Sequence, residues 1–321
     1  MNHSSLHWLT AVTFGLCCAQ AMASAEDSRV PAHTRAQEQV GETVAERSSP
    51  YYRFETHTLD SSDGQRRYRI QIGIPLTVEK PEGTLYMLDG NAAIATLTEA
   101  DLARLRQGRP VVLVAIGYDV DTRNDVVARA YDYTPPVRVN GGVVDKPVVR
   151  GRMGGGADLF LEFIATQVKP LVRERAGVQG GDWLWGHSYG GLFALYTLLR
   201  QPDAFDGYIA GDPSMWWHDG VLYKEWQSFD PARAAGKHVD ILIGTRPRPA
   251  DRPAPGNATI TSTEGQALSP RDAVLQMVDG LRGAATVHYQ TFPQAGHGEM
   301  IRISLAHALR VVCCTGRNQT N

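Results

Sequence analysis

Gly186-His187-Ser188-Tyr189-Gly190 has the residue types and spacing of a nucleophile turn. A serine hydroxyl reacts poorly until a base takes its proton. The Gly-x-Ser-x-Gly turn presents that hydroxyl beyond a strand end, at the positive end of the following helix, with glycines where side chains do not fit. Trp183–Trp185 form an apolar run before the turn; Leu192, Phe193, Leu195, Tyr196 and Leu199 follow at helical spacing. With 32 glycines in 321 residues, chance alone gives about 0.1 matches to the pattern. The flanks therefore carry as much weight as the motif, and Ser188 is the candidate nucleophile.

A base must come next. On a strand–turn–helix nucleophile the partners follow in the order acid, then histidine. Five histidines follow Ser188. His218 and His238 come early, His288 lies mid-strand and His307 falls in a terminal helical pattern. His297 sits in Gln294-Ala295-Gly296-His297-Gly298, a glycine-bracketed loop after the last strand, and is the candidate base. Its competing reading is a solvated loop histidine. Two oxyanion donors are expected: the amide of Tyr189, and that of Asn91 in Tyr86-Met87-Leu88-Asp89-Gly90-Asn91, although Asp89-Gly90 alone reads as a plain turn. The acid is expected after strand 239–243, but 244–250 holds no carboxylate. Asp251 and Glu264 are the nearest, and Asp251 is retained as a candidate acid against the reading of an exposed loop aspartate.

These residues need a scaffold. "TLYML" (84–88) and "VVLVAIGY" (111–118) are continuous apolar runs suited to strands buried on both faces. Further strands are expected at 182–185, 207–211, 239–244 and 286–292. "FETHTL" and "RRYRIQIGIP" around Ser62-Asp63-Gly64 read as a hairpin. Helices are expected over 92–106, after an Asp158 cap, after Ser188 and over 271–281. Strands alternating with helices predict one α/β domain, a mostly parallel central sheet flanked by helices. Residues 119–157 fit neither period and are expected to border the site.

The formal charge of −2 leaves no basic footprint for nucleic acid. No metal-ligand spacing occurs, and Gly154–Gly156 lacks the Gly-Lys-Ser/Thr of a nucleotide loop, so no cofactor is expected. Residues 1–25 read as a signal peptide: an apolar run ending in Ala21-Met22-Ala23 and Ala23-Ser24-Ala25. That predicts periplasmic export with cleavage and no membrane insertion afterwards. Residues 26–50 read as a flexible arm by composition, and 51–321 as the catalytic domain. Of four cysteines, Cys17 and Cys18 leave with the signal; Cys313 and Cys314 are adjacent, where a bridge is strained, and read as thiols.

"YMLDGNA", "RAYDYTPP", "LWGHSYGGLF", "DPSMWW" and "FPQAGHG" together resemble the esterase D-like branch of the α/β-hydrolases. Within it they resemble most the periplasmic esterases that open trilactone catecholate siderophores of the enterobactin and salmochelin type. The resemblance runs from Tyr51 to the C-terminus. It implies an α/β-hydrolase fold, Ser188 as nucleophile, His297 as base, and a Ser–His pair without an obvious acid. It places the substrate-contacting arginine on Arg129. By position alone, Arg150 and Arg152 on the irregular insert and Arg246 and Arg248 after a later strand are candidates for further positive charge at the mouth, against the favoured reading of solvated surface charge. The implied partner is a small molecule, a catecholate siderophore in ferric or iron-free form. The alternatives are a broad acyl or feruloyl esterase of the same fold, and a siderophore-binding protein with a vestigial elbow.

Overall fold

The computed structural model describes residues 37–76, 80–139, 142–145, 147–247 and 259–314. Its strands are β1 (Tyr52–Asp60), β2 (Arg67–Pro75), β3 (Gly83–Leu88), β4 (Val111–Tyr118), β5 (Val137–Val139), β6 (Gly142–Asp145), β7 (Val148–Val149), β8 (Arg152–Met153), β9 (Gly181–His187), β10 (Gly207–Gly211), β11 (His238–Gly244), β12 (Ile260–Thr261), β13 (Ala267–Leu268) and β14 (Thr286–Phe292). The α-helices are α1 (Gly90–Ile94), α2 (Glu99–Arg106), α3 (Ala128–Asp132), α4 (Ala157–Phe163), α5 (Lys169–Ala176), α6 (Tyr189–Arg200), α7 (Val221–Trp226), α8 (Pro270–Leu281) and α9 (Met300–Cys314).

Eight strands form one sheet in the order β1-β2-β4-β3-β9-β10-β11-β14. The β1–β2 hairpin joins β4 antiparallel, and every pair from β4 through β14 is parallel. This is the mostly parallel, helix-flanked sheet expected from the sequence. Every residue of β3 and β4 is buried, because successive side chains enter opposite cores. Tyr86, Leu88, Val112 and Val114 pack with Phe160, Val172, Leu195, Leu222 and Val278 under α4 to α8. Leu85, Met87, Leu113 and Ala115 pack with Ile94, Leu102 and Leu309 under α1, α2 and α9. Two covered faces explain why these strands read as unbroken apolar runs.

Two polar contacts pin α9 to the sheet. Trp185 Nε1 donates to Ser304 Oγ at 3.1 Å. The buried Asp240 carboxylate is shared by His307 from α9 and by His238, whose Nε2 lies 2.6 Å from Asp240 Oδ1.

Several expectations change. The helix expected over 92–106 is two helices, broken at Thr98. The Thr98 hydroxyl accepts from Asp101 N while the Asp101 carboxylate accepts from Thr98 N at 3.0 Å, so α2 starts afresh on a capping box. Asp158 does not cap a helix: Gly156 holds that position, and Asp158 lies in the first turn of α4, accepting from Tyr196 Oη and pairing with Arg138. The irregular segment 119–157 holds α3 and two small hairpins, β5–β6 and β7–β8.

Residues 37–50, expected within a flexible arm, lie against the body of the protein. Val40 N donates to Asp121 O at 2.7 Å, Arg123 N donates to Glu38 O at 2.9 Å, and Val44 enters the second core. The signal-peptide segment and residues 26–36 lie outside the described residues. Among the described residues no helix is long and apolar enough to cross a membrane.

Candidate active site

The elbow forms where β9 passes directly into α6. Ser188 takes φ 61° and ψ −116°, a conformation costly for a residue with a Cβ. The turn closes so tightly that a Cβ on Gly186 would stand 2.3 Å from the Gly190 carbonyl carbon. Main-chain bonds hold the strained residue on both sides: Ser188 N donates to Gly211 O at 2.9 Å, and Ser214 N donates to Ser188 O at 3.1 Å.

Ser188 Oγ lies 3.0 Å from His297 Nε2. The sequence-predicted pair is thus within hydrogen-bond reach, brought together from residues 109 apart in the chain. His297 Nδ1 in turn lies 2.5 Å from Asp212 Oδ2. A carboxylate there accepts from Nδ1–H, which leaves Nε2 bare to accept the Ser188 proton. The site therefore holds an acid, contrary to the expectation of a Ser–His pair.

Asp212 immediately follows β10, one strand earlier than the β11 end where the acid was sought. Asp251 lies outside the described residues. The end of β11 supports the histidine loop instead: Arg246 N donates to Ala295 O at 3.1 Å, and the Arg246 guanidinium pairs with Glu299. The signal for Asp212 was Gly211-Asp212-Pro213, an aspartate closing the strand beside the nucleophile strand.

His187, not singled out from the sequence, braces the base loop. Its Nε2–H donates to the His297 carbonyl at 2.8 Å, and the two rings are 4.7 Å apart. Burial, with the neighbouring His297 ring second, pushes its pKa down to about 3. The His187 ring is therefore neutral at physiological pH and brings no positive charge against the His297 ring.

Tyr189 N–H belongs to the first turn of α6, where no intrahelical acceptor exists. The Asn91 side chain is committed elsewhere: Nδ2 lies 3.1, 2.9 and 3.0 Å from the carbonyls of Tyr118, Val120 and Thr122. Only its main-chain N–H, in the first turn of α1, is left for an oxyanion.

Arg129 is close to the elbow but is not a bare cation. Its Nε and Nη2 donate to both Asp89 oxygens at 2.7 and 2.8 Å, a bidentate pair, and both side chains are largely buried. Its Cζ lies 5.2 Å from the Tyr189 ring and 5.5 Å from the Tyr133 ring, and Tyr133 Oη accepts from Asp89 N at 2.9 Å. The expected reader of substrate charge is thus neutralised by Asp89, and it braces the turn between β3 and α1. Among the described residues no group of three or more His, Cys, Asp or Glu side chains is arranged to hold a metal ion.

Comparison with known proteins places the chain among esterases. The esterase family described as "Putative esterase" matches residues 61–274. The chain is 31% identical over 314 residues to the apo-salmochelin esterase of Escherichia coli O6:H1 (strain CFT073), covering 97% of this chain and 93% of that one. It is 34% identical over 266 residues to the ferri-bacillibactin esterase of Bacillus subtilis (strain 168), covering 80% and 88%. Among solved structures, the enterobactin hydrolase IroE in complex with DFP superposes with a TM-score of 0.68 at 29% identity, covering 83% of this chain and 97% of that one.

Two outcomes follow from the geometry. Asp212→Asn removes the acceptor for Nδ1–H and is expected to lower kcat on a p-nitrophenyl ester by roughly 10⁴. Asp251→Asn is expected to cost less than tenfold; the reverse order of effects returns the acid to Asp251. The second concerns pH. The folded protein holds His187 neutral down to about pH 3, whereas the unfolded chain protonates it near pH 6.5. The unfolded state binds more protons in that window, so this contribution is full above about pH 6.5 and is lost as pH falls. Between pH 7.5 and 5 it amounts to about 2 kcal/mol. His187→Asn should therefore show a smaller loss of stability across that interval than the parent, measured by urea unfolding at both pH values. An equal loss in both proteins means the ring titrates normally.

Proposed function

The chain belongs to the esterase family, and from that premise we propose that it hydrolyses the lactone esters of a cyclic triscatecholate siderophore. The observation that carries the chemistry is the hydrogen-bonded line Ser188 Oγ–His297 Nε2, His297 Nδ1–Asp212 Oδ2. The substrate class is supported by the relatives, which are esterases of salmochelin and ferri-bacillibactin by name.

In the proposed reaction Ser188 Oγ attacks a lactone carbonyl as His297 Nε2 takes its proton. Asp212 holds the imidazole in the tautomer that can do this and stabilises the imidazolium that forms. The tetrahedral oxyanion accepts from the main-chain N–H groups of Tyr189 and Asn91. His297 then gives its proton to the departing seryl alkoxide, which opens the ring. A water, deprotonated by the same histidine, attacks the acyl-enzyme, and Ser188 recovers its proton as the acid leaves. Every proton is moved by one imidazole, and no step calls for a cofactor. Arg129 serves this scheme through Asp89, by holding the turn that carries Asn91.

Incubation of the protein with iron-free and ferric trilactone and with p-nitrophenyl esters, followed by chromatography, tests the proposal. Conversion of the trilactone to linear fragments, abolished in Ser188→Ala, is the expected result. Turnover of the simple esters alone identifies a general acyl esterase instead, and binding without turnover identifies a carrier.

Export is part of the same proposal, carried by the apolar run and the two small-x-small sites at residues 21–25. Periplasmic protein from the native host should begin near Ser24 or Glu26. N-terminal sequencing that returns Met1 overturns it.

A further inference from the structure

The elbow has a second cation beside it, in a different state from Arg129. The β7–β8 hairpin pairs Val149 with Arg152, so its turn is Arg150-Gly151. Both turn residues lie at positive φ, 54° and 73°, the geometry of a two-residue type I′ connection. The foot of the hairpin is fixed: Gly154 N donates to Pro147 O at 2.8 Å, and a Cβ on Gly154 would meet the Trp217 ring at 2.6 Å. The tip carries Arg150 out over the neighbouring indole, its Cζ 4.3 Å from the centroid of the Trp216 ring.

Trp216 belongs to the loop that also supplies Asp212 and Ser214, and Ser214 Oγ lies 3.3 Å from Ser188 Oγ. Its ring centroid is 6.0 Å from that of Tyr189, which adjoins the nucleophile. A continuous row of ring contacts therefore runs from Arg129 over Tyr189 and Trp216 to Arg150. The two ends differ in charge state. Arg129 is closed on Asp89. Arg150 is exposed, and no carboxylate of the described residues lies within ion-pair distance of it. A guanidinium held on an indole face in place of a carboxylate keeps its N–H edge free for an incoming anion.

We propose that Trp216 and Arg150 form a clamp for an aromatic acyl arm of the substrate that carries ortho phenol or phenolate oxygens. The proposal rests on the trilactone reading above. The ring stacks on the Trp216 indole in the place the guanidinium occupies. Arg150 moves outward on its hairpin by about one ring thickness, covers the far face, and donates to the ring oxygens. Stacking reads the ring, and the planar fork reads the oxygens. An ester whose acyl group lacks such an arm gains nothing from the clamp, so Arg150 and Trp216 set specificity and leave bond cleavage to the groups around Ser188.

The test separates this clamp from the function it rests on. Binding is measured by quenching of tryptophan fluorescence in Ser188→Ala, titrated with iron-free catecholate trilactone. Turnover is measured with Ser188 intact, on the same trilactone, on a trilactone with unsubstituted benzoyl arms, and on p-nitrophenyl butyrate. Arg150→Ala is expected to weaken Kd and raise KM for the catecholate roughly tenfold with kcat within about twofold, the scale of one desolvated cation–π contact. The ratio of kcat/KM on catecholate to that on butyrate should fall by the same factor, and the penalty should shrink to about threefold or less on the benzoyl analogue. Arg150→Lys keeps the charge but loses the fork, and should recover only part of the affinity.

A Kd and KM for the catecholate that stay within about twofold in Arg150→Ala overturn the clamp, as does an equal fall in kcat/KM on butyrate. If the parent enzyme fails to open the trilactone while Kd still depends on Arg150, the esterase reading of that substrate fails and the clamp stands. If the parent opens it with no dependence on Arg150, the clamp fails and the esterase reading stands.

Discussion

The structure around the site depends on one constraint, the closeness of Gly186 to Gly190. With 2.3 Å between a Cβ on the first and the carbonyl carbon of the second, β9 can turn into α6 only if position 186 has no side chain. That closeness forces Ser188 to φ 61° and lifts its hydroxyl clear of the sheet. The strain is local and must be held from outside. The hold comes from β10 and the loop after it, through the bonds to Gly211 O and from Ser214 N. The same loop carries Asp212 and Trp216. A strained turn that needs an external brace has thereby fixed the distance from Ser188 to Asp212 and to the Trp216 ring beside it.

Much of the scaffold was legible because its causes are local. β3 and β4 face two cores, so their sequences are apolar at every position, and their ends were read within a residue. The elbow and the loop around His297 announce themselves through glycines beside reactive side chains. What stayed hidden depends on partners far along the chain. Asp212 sits at φ 44°, a conformation aspartate tolerates, and its one mark in the sequence, Gly211-Asp212-Pro213, reads equally as an ordinary turn. The break at Thr98 was missed because Thr98 and Asp101 also fit a continuous helical pattern. Residues 37–50 look like an arm by composition, yet they pair with 121–123 through main-chain groups whose bonding does not depend on side-chain type.

Charge shows the same limit from the other side. A sequence displays Arg129 as a cation and says nothing of Asp89, 40 residues away. Once the two close into a bidentate pair, their long-range fields largely cancel, and what remains is directional: two parallel hydrogen bonds that fix a turn. Arg150 reaches the opposite state by the opposite route. Its hairpin tip extends away from the carboxylates of the described residues, and its partner is an uncharged ring. The two arginines end one row of ring contacts, yet the first orders the protein and the second leaves a positive charge open at the mouth.

In the proposed reaction this division bears on the proton that His297 takes from Ser188. An unpaired cation against the His297 ring would oppose the imidazolium that must form when Ser188 gives up its proton. The ring next to His297 is His187, and burial keeps it neutral, with a pKa near 3. Its hydrogen bond to the His297 carbonyl positions the loop without placing charge on the face of the base. Arg129, which lies over the Tyr189 ring, is closed on Asp89. Asp212, on Nδ1, is then the charged group in direct contact with the base, and its sign favours the imidazolium. Positive charge is left open further out, at Arg150 on the Trp216 indole.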